Sequence, residues 1–276
     1  MCPRLFEIGP FTVYSYGLMM GVGFIIASIV LTQDLKRKRL DPTLGNTVTL
    51  YAIVFGIIGS KLLFLIEEWS YFVRDPIGSA FSPSGLTWYG GFFLATFAIW
   101  LLARRRKIAF AKICDSAAPA LAIGYGVARI GCHLAGDGDY GLPTDLPWGT
   151  DYSKGIFPPS VAFRDFPDIV AKYGVNGVVP DNIPVHPAPI YEFLLGVILF
   201  AILWKLRRRN YPDGKLFMFY LVGAGLSRFA VEFIRLNPRI MLGLSEAQVI
   251  SMALIAVGIF GVAYLDRRGT AAPDQT

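Results

Sequence analysis

Residues 188–209 read APIYEFLLGVILFAILWKLRRR, an almost unbroken apolar run closed by Lys205 and by Arg207, Arg208 and Arg209. An α-helix needs roughly 20 mostly apolar residues to cross the hydrocarbon core of a bilayer, and a basic cluster at one end marks that end as cytoplasmic. Working outward from this run, six more lie between charged or Pro/Gly-rich breaks. Spans are expected at about 12–33, 46–68, 86–104, 113–134, 188–206, 214–235 and 246–265. The fourth carries Asp115, Pro119 and Arg129. The 276 residues are 54% hydrophobic and 17% charged, with a mean hydropathy of +0.50, outside what an ordinary soluble domain shows. The reading is an all-α integral membrane protein of about seven transmembrane helices, built as a single membrane domain over residues 1–276.

The basic clusters orient the spans. Lys36-Arg37-Lys38-Arg39, Arg104-Arg105-Arg106-Lys107, Lys205 with Arg207-Arg208-Arg209, and Arg267-Arg268 follow spans one, three, five and seven. The N-terminus is therefore expected outside and the C-terminus in the cytoplasm. Residues 135–187 become a long outer head segment, rich in Gly, Pro, Asp and aromatics and too polar to span. Its Pro147-Trp148 and Phe157-Pro158-Pro159 argue for a packed cap. The formal charge of +6 comes from these flanking clusters, which excludes a nucleic-acid partner. Cys2, Cys114 and Cys132 form no CxxC pair, so neither a disulfide framework nor a zinc site is indicated. No cleavable signal peptide is apparent, because the first apolar run is long enough to remain as a span. No internal repeat is evident, which speaks against an inverted-repeat transporter.

Charges at membrane depth cost several kcal/mol each unless paired or wetted, so they mark function more often than accident. Here they are Lys61, Glu67, Arg129, Glu192, Arg228 and Glu232. With the orientation above, Arg129 lies a little over one turn inside the outer boundary. Arg228, Glu232 and Arg235 share one face of span six, spaced by four and then three. Tyr16, Tyr89 and Tyr191-Glu192 lie near the outer starts of spans one, three and five. Several arginines and a lysine with fewer carboxylates make an anion site, and the guanidinium fork matches phosphate oxygens. A phosphate site at that depth points to a phospholipid, with Tyr16, Trp88 and Tyr89 as walls at headgroup level. The competing reading is structural: Arg228 with Glu232 as an ion pair and Lys61 snorkelling to the interface.

The run Ala128-Arg129-Ile130-Gly131-Cys132-His133-Leu134-Ala135-Gly136-Asp137-Gly138-Asp139-Tyr140-Gly141 carries a span into a Gly-rich acidic turn. It resembles the signature of the prolipoprotein diacylglyceryl transferases, Gly-Arg-x-Gly-Asn-Phe-x-Asn-x-Glu followed by Gly. Tyr16-Gly17-Leu18-Met19, Tyr89-Gly90-Gly91, His186-Pro187 with Tyr191-Glu192, and Arg228-Phe229 with Val231-Glu232-Phe233-Ile234-Arg235 agree with the same family in order and spacing. The resemblance implies transfer of the diacylglyceryl group of phosphatidylglycerol to the lipobox cysteine thiol of a prolipoprotein signal peptide, with release of glycerol phosphate. It implies a bacterial inner-membrane enzyme, an active site facing the periplasmic or extracytoplasmic side, and no cofactor or metal. By motif position Arg129 and Arg228 would hold the phosphate, Tyr16 would line the headgroup pocket, and Asp137, Glu232 and Arg235 would complete a polar network. Lys61, Gly90 and Gly91 would join the phospholipid-binding set.

The sequence departs from that pattern at several positions. Tyr89 stands for the usual His before Gly-Gly, Cys132 for an Asn, Asp137 for a Glu, Ala188-Pro189 for a Ser/Thr-Gln pair, and Lys61 for the commoner Arg. The general base is then either Tyr89, whose phenol would need neighbouring arginines to lower its pKa from near 10, or His133. Cys132 reads as a packing residue and His186 as a structural hydrogen-bonding one. Asp137 and Asp139 form only a weak candidate for a metal. The alternative function is a non-catalytic phospholipid-binding or lipid-transport paralogue.

Overall fold

A computed structural model describes residues 1–9, 11–82, 85–241 and 243–270. Arg4–Ile8 (β1) and Phe11–Tyr14 (β2) pair antiparallel before the first helix. The aromatic and β-branched run at 11–14 suits a strand, so the first helix, Ser15–Arg37 (α1), starts later than the apolar run does. Then follow Thr43–Glu67 (α2), Trp69–Arg74 (α3), Pro76–Phe81 (α4), Trp88–Arg105 (α5), Phe110–Ala135 (α6), Pro159–Ala162 (α7), Pro167–Tyr173 (α8), Ala188–Leu206 (α9) and Lys215–Val231 (α10). A second hairpin, Arg239–Met241 (β3) with Leu244–Ser245 (β4), leads into Glu246–Thr270 (α11). Among the described residues the named strands are confined to these two hairpins.

Four helices, α1, α2, α9 and α11, are by themselves long and apolar enough to cross a membrane. Their apolar side chains turn outward: Leu50, Ile57, Leu62 and Ile66 of α2 are each more than half exposed. A water-facing helix would reverse that distribution, so the chain is a helical membrane protein.

The chain divides into two packing units. In residues 28–116, α2 and α5 meet across small residues. A Cβ on Gly59 would lie 2.7 Å from the Leu94 Cβ, and one on Gly91 would lie 2.7 Å from the Gly56 carbonyl oxygen. The Thr87 hydroxyl donates to Glu67 Oε2 at 2.9 Å, tying the start of α5 to the end of α2. With no hydrophobic drive between helices in lipid, such close backbone approach supplies the packing. Replacing Gly90, which abuts Gly59 and Leu63, by leucine is expected to destabilise the protein by at least about 1–3 kcal/mol. Thermal unfolding in detergent reads it out.

The other unit holds residues 1–27 and the chain from Ala117 onward. Here α6 lies against α1 and α9 through glycine. A Cβ on Gly131 would stand 3.2 Å from the Tyr16 Cα, and one on Gly196 would stand 3.1 Å from the Gly126 Cα. The segment after α6 folds on its own core of Tyr140, Tyr152, Phe163, Val179 and Val185. The Tyr140 and Tyr152 rings lie 4.5 Å apart, and the Tyr140 hydroxyl donates to the Phe157 carbonyl at 2.7 Å.

α10 is shorter than the apolar run through 235 suggests. It ends at Val231, and the chain continues through tighter i→i+3 bonds, including Ile234 N–H to the Val231 carbonyl at 3.1 Å. Arg235 therefore lies outside the helix, bridged by its backbone to Gly141 of the head segment.

Candidate functional site

Three arginines converge on Glu192, which α9 places one turn from its N-terminal end with its side chain 2% exposed. Its Oε1 accepts from Arg228 Nη1 at 2.8 Å and from the Tyr125 hydroxyl at 2.7 Å. Its Oε2 lies 3.2 Å from Arg235 Nη1 and 3.3 Å from Arg129 Nε. α6, α9 and α10 thus contribute one charge each, and the turn after α10 adds Arg235. Charges at that burial persist only when paired, and the helices are pinned by that requirement.

The turn leaving α6 completes the cluster. Gly136 caps the helix, its N–H donating to the Cys132 carbonyl at 2.9 Å with φ of +59°, and Gly138 follows with φ of +89°. Residues with a Cβ rarely adopt such values. The reversal brings Asp139 back over Arg129, with which it is paired, and its other oxygen accepts from Arg235 Nη2 at 2.5 Å. Arg228 Nη2 stands 3.0 Å from Glu232 Oε2, and Glu232 Oε1 accepts from Asn237 Nδ2 at 2.6 Å. Arg239 extends the network by donating to Gln248 Oε1 at 2.7 Å.

The expected excess of positive charge is not met in this cluster. Three guanidiniums face three carboxylates, Asp139, Glu192 and Glu232, so the arginines are already oriented by partners. What distinguishes them is access. Arg129 and Arg228 side chains are 20% and 26% exposed, whereas Arg235 is 7% exposed. The first two can offer N–H edges to a ligand while the third braces the acids. Burial tends to push the Asp139 carboxyl up, but the Arg235 and Arg129 guanidiniums outweigh it and hold it below the ordinary carboxylate value. Asp137 moves the other way, raised by burial and by the Asp139 charge. It lines a cavity of about 220 Å³ with Gly138, Asp139, Phe157, Ala162, Phe166 and Leu236.

Those opposite shifts have opposite signs in stability. Asp139, lowered in the fold, contributes stability that is present above its unfolded value and is lost as pH falls through the lowered one. Asp137, raised in the fold, favours the native state most when protonated, and that contribution is lost as pH rises through the raised value. Asp139→Asn is expected to flatten the acid-side fall of the thermal midpoint below about pH 4, measured in detergent with wild type alongside.

Cys132 is buried, its Sγ 3.5 Å from Arg129 Nη1. Its sulfur and the Asp137 and Asp139 carboxylates lie within 4.8 Å of one another, but both Asp139 oxygens are taken by arginines that would oppose a cation. The structure thus gathers Arg129, Arg228, Glu232 and Arg235, with Asp137 beside them. His133 Nδ1 lies 2.8 Å from the Tyr152 hydroxyl, facing the head core. His186 Nδ1 lies 3.3 Å from the Tyr191 hydroxyl, which also accepts from Trp148 at 2.7 Å. Tyr16 opens α1 with its backbone over Gly131. Lys61, Tyr89, Gly90 and Gly91 belong to the separate 28–116 unit. There the Lys61 ammonium donates to the Ser82 carbonyl at 2.9 Å, Tyr89 packs edge-on against Trp88 with centroids 5.4 Å apart, and both glycines serve the α2–α5 contact.

Glu192, expected only as a charge at membrane depth, and Asp139, expected only as a weak metal ligand, are both central to the cluster, and Tyr125, Asn237 and Arg239 join them without a motif to mark them. Tyr125 was detectable, since it stands four residues before Arg129 on one helix.

Comparison with known proteins agrees in one direction. The family model described as prolipoprotein diacylglyceryl transferase matches residues 3–264. A phosphatidylglycerol–prolipoprotein diacylglyceryl transferase of Clostridium tetani is 31% identical over 262 residues, covering 94% of this chain and 96% of the relative. One from Dehalococcoides mccartyi is 32% identical over 277 residues, covering 99% and 97%. A third, from Burkholderia thailandensis, is 30% identical and covers 98% and 96%. With the family model matching residues 3–264 and relatives 31% and 32% identical over nearly all of both chains, the chain belongs to the prolipoprotein diacylglyceryl transferase family.

Proposed function

We propose that the protein transfers the diacylglyceryl group of phosphatidylglycerol to a prolipoprotein, at its lipobox cysteine; its relatives are named phosphatidylglycerol–prolipoprotein diacylglyceryl transferases. The observation behind this reading is the joining of Arg129 and Arg228, from two helices, through Glu192, with their side chains 20% and 26% exposed. In the transfer, the cysteine sulfur attacks the glyceryl carbon and a C–S bond forms. The C–O bond to phosphate breaks, and its electron pair leaves with glycerol phosphate. The thiol proton passes to a base, for which Tyr89 and His133 are the candidates. Arg129 and Arg228 neutralise the charge that grows on the departing phosphate. Arg235 and Glu232 hold those two in place, and Asp137, which lines the cavity beside Asp139, completes the polar network. By motif position Tyr16 is assigned to lipid binding, and so, within the 28–116 unit, are Lys61, Gly90 and Gly91. Bringing two membrane-held substrates together supplies much of the rest, and no cofactor enters the balance.

The same reading takes seven spans, α1, α2, α5, α6, α9, α10 and α11, in the bacterial inner membrane, with residues 135–187 as an extracytoplasmic head and the C-terminus in the cytoplasm. The four basic clusters support it. In a Cys2→Ser background, an impermeant thiol reagent should label Ser153→Cys in intact spheroplasts and Arg106→Cys only after lysis. The opposite pattern would invert the topology.

The direct test incubates purified protein with phosphatidylglycerol and a lipobox peptide and looks for the thioether product and glycerol phosphate. Lipid binding without product would favour a non-catalytic lipid-binding paralogue. The pH–rate profiles of Tyr89→Phe and His133→Ala identify the base as the residue whose loss removes the rising limb.

A further inference from the structure

Tyr125 touches both of the groups on which the cluster depends. It stands one turn before Arg129 on α6, and the Arg129 guanidinium carbon lies 4.9 Å from its ring centroid. Its hydroxyl donates to Glu192 Oε1 at 2.7 Å, the oxygen that also accepts from Arg228 Nη1 at 2.8 Å. The ring is therefore fixed at one end by its own helix and at the other by α9.

A guanidinium meets an aromatic ring through its face and a phosphate through its N–H edges, so the two interactions use different parts of the group. A ring behind the face leaves the edges usable. It also opposes the alternative open to a long basic side chain near a membrane boundary, which is to swing its stem towards the headgroups. Asp139 and Cys132 hold Arg129 from the C-terminal side of α6, and Tyr125 holds it from the N-terminal side.

We propose that Tyr125 is a positioning residue for the phosphate site: its ring backs the Arg129 guanidinium and its hydroxyl anchors that ring to Glu192, which keeps Arg129 and Arg228 at a fixed spacing for one phosphate. This rests on the transfer reading above for its catalytic consequence, and on geometry alone for its effect on lipid binding.

The experiment compares wild type with Tyr125→Phe, Tyr125→Trp and Tyr125→Leu, purified in nanodiscs. Three readouts are taken: the thermal midpoint, affinity for phosphatidylglycerol, and kcat with a lipobox peptide. Tyr125→Leu, which loses face and hydroxyl together, is expected to lower kcat by about 10–100-fold and weaken lipid binding several-fold, with the midpoint within about 2 °C of wild type. Tyr125→Phe and Tyr125→Trp keep a face for the cation and should lose only about 3–10-fold in kcat. In an Arg129→Ala background, Tyr125→Leu should weaken lipid binding no further, because the group it positions is gone. Tyr125→Leu within twofold of wild type in both kcat and affinity would overturn the proposal. So would an equal loss of lipid binding in the Arg129→Ala background, or losses that track the thermal midpoint across the series. If wild type binds phosphatidylglycerol without forming product, the transfer reading fails, and the binding cycle still decides the role of Tyr125.

Discussion

Arg129→Ala and Arg228→Ala should each lower turnover of phosphatidylglycerol by about 10³-fold while leaving a folded, membrane-embedded protein. A single donor aimed at developing charge is typically worth about 10²–10³ in rate, and each of these side chains offers a charged fork rather than one neutral donor. The fold survives because Glu192 keeps partners in either variant: Arg228, Arg235 and Tyr125 when Arg129 is lost, and Arg129, Arg235 and Tyr125 when Arg228 is lost. The double variant should fall little below the singles, since two groups clamping one phosphate act as a unit. Lysine at either position should recover only part of the loss, being a point charge without the planar fork. Single-turnover product formation, measured at saturating lipid, separates this from weakened binding. Activity within tenfold of wild type in both alanine variants would remove phosphate neutralisation as the basis of catalysis.

Helix placement was legible because apolar run length is a direct physical requirement of the bilayer. α9 follows its run residue for residue, since Pro187 opens it and the arginine cluster closes it. α10 stops short of its apolar run, in which Phe233 and Ile234 have the character of span residues. The change to tighter i→i+3 turns after Val231 leaves no mark in composition, since Phe233 and Ile234 continue the apolar run. The pairing of Arg4–Ile8 with Phe11–Tyr14 is hidden for a related reason: Phe11–Tyr14 is apolar enough to pass for the start of a span. In the site, Arg129, Arg228, Glu232 and Arg235 stood out as charges where charge is expensive. Asp139 did not, because it lies past the helix in a glycine turn, and only the positive φ values of Gly136 and Gly138 return it to Arg129. Residues far apart in sequence, such as Glu192 and Tyr125, meet through the α6–α9 packing at Gly126 and Gly196, which no local pattern encodes.

Glu192→Gln should be the most damaging isosteric change in the chain, lowering stability by about 3–5 kcal/mol, because removing one partner of a buried ion pair strands the others. The substitution keeps the shape and the hydrogen-bonding oxygen but deletes the charge that faces Arg129, Arg228 and Arg235. Those three guanidiniums would then share Asp139 and Glu232, and Arg235, 7% exposed, has little water to turn to. Glu192→Asp tests distance instead of charge. A carboxylate drawn back towards α9 by one methylene cannot hold contacts of 2.7 to 3.3 Å with Tyr125, Arg228, Arg235 and Arg129 together, so it should retain more stability than Gln and less activity than wild type. Glu232→Gln provides the scale. Glu232 pairs with Arg228 at 3.0 Å and is 3.9 Å from Arg235, so its loss leaves Glu192 to compensate and should cost less than half as much. Thermal and denaturant unfolding in a fixed detergent, with turnover beside them, orders the three variants. A Glu192→Gln protein as stable and as active as wild type would mean that the arginines are held by something other than their shared carboxylate.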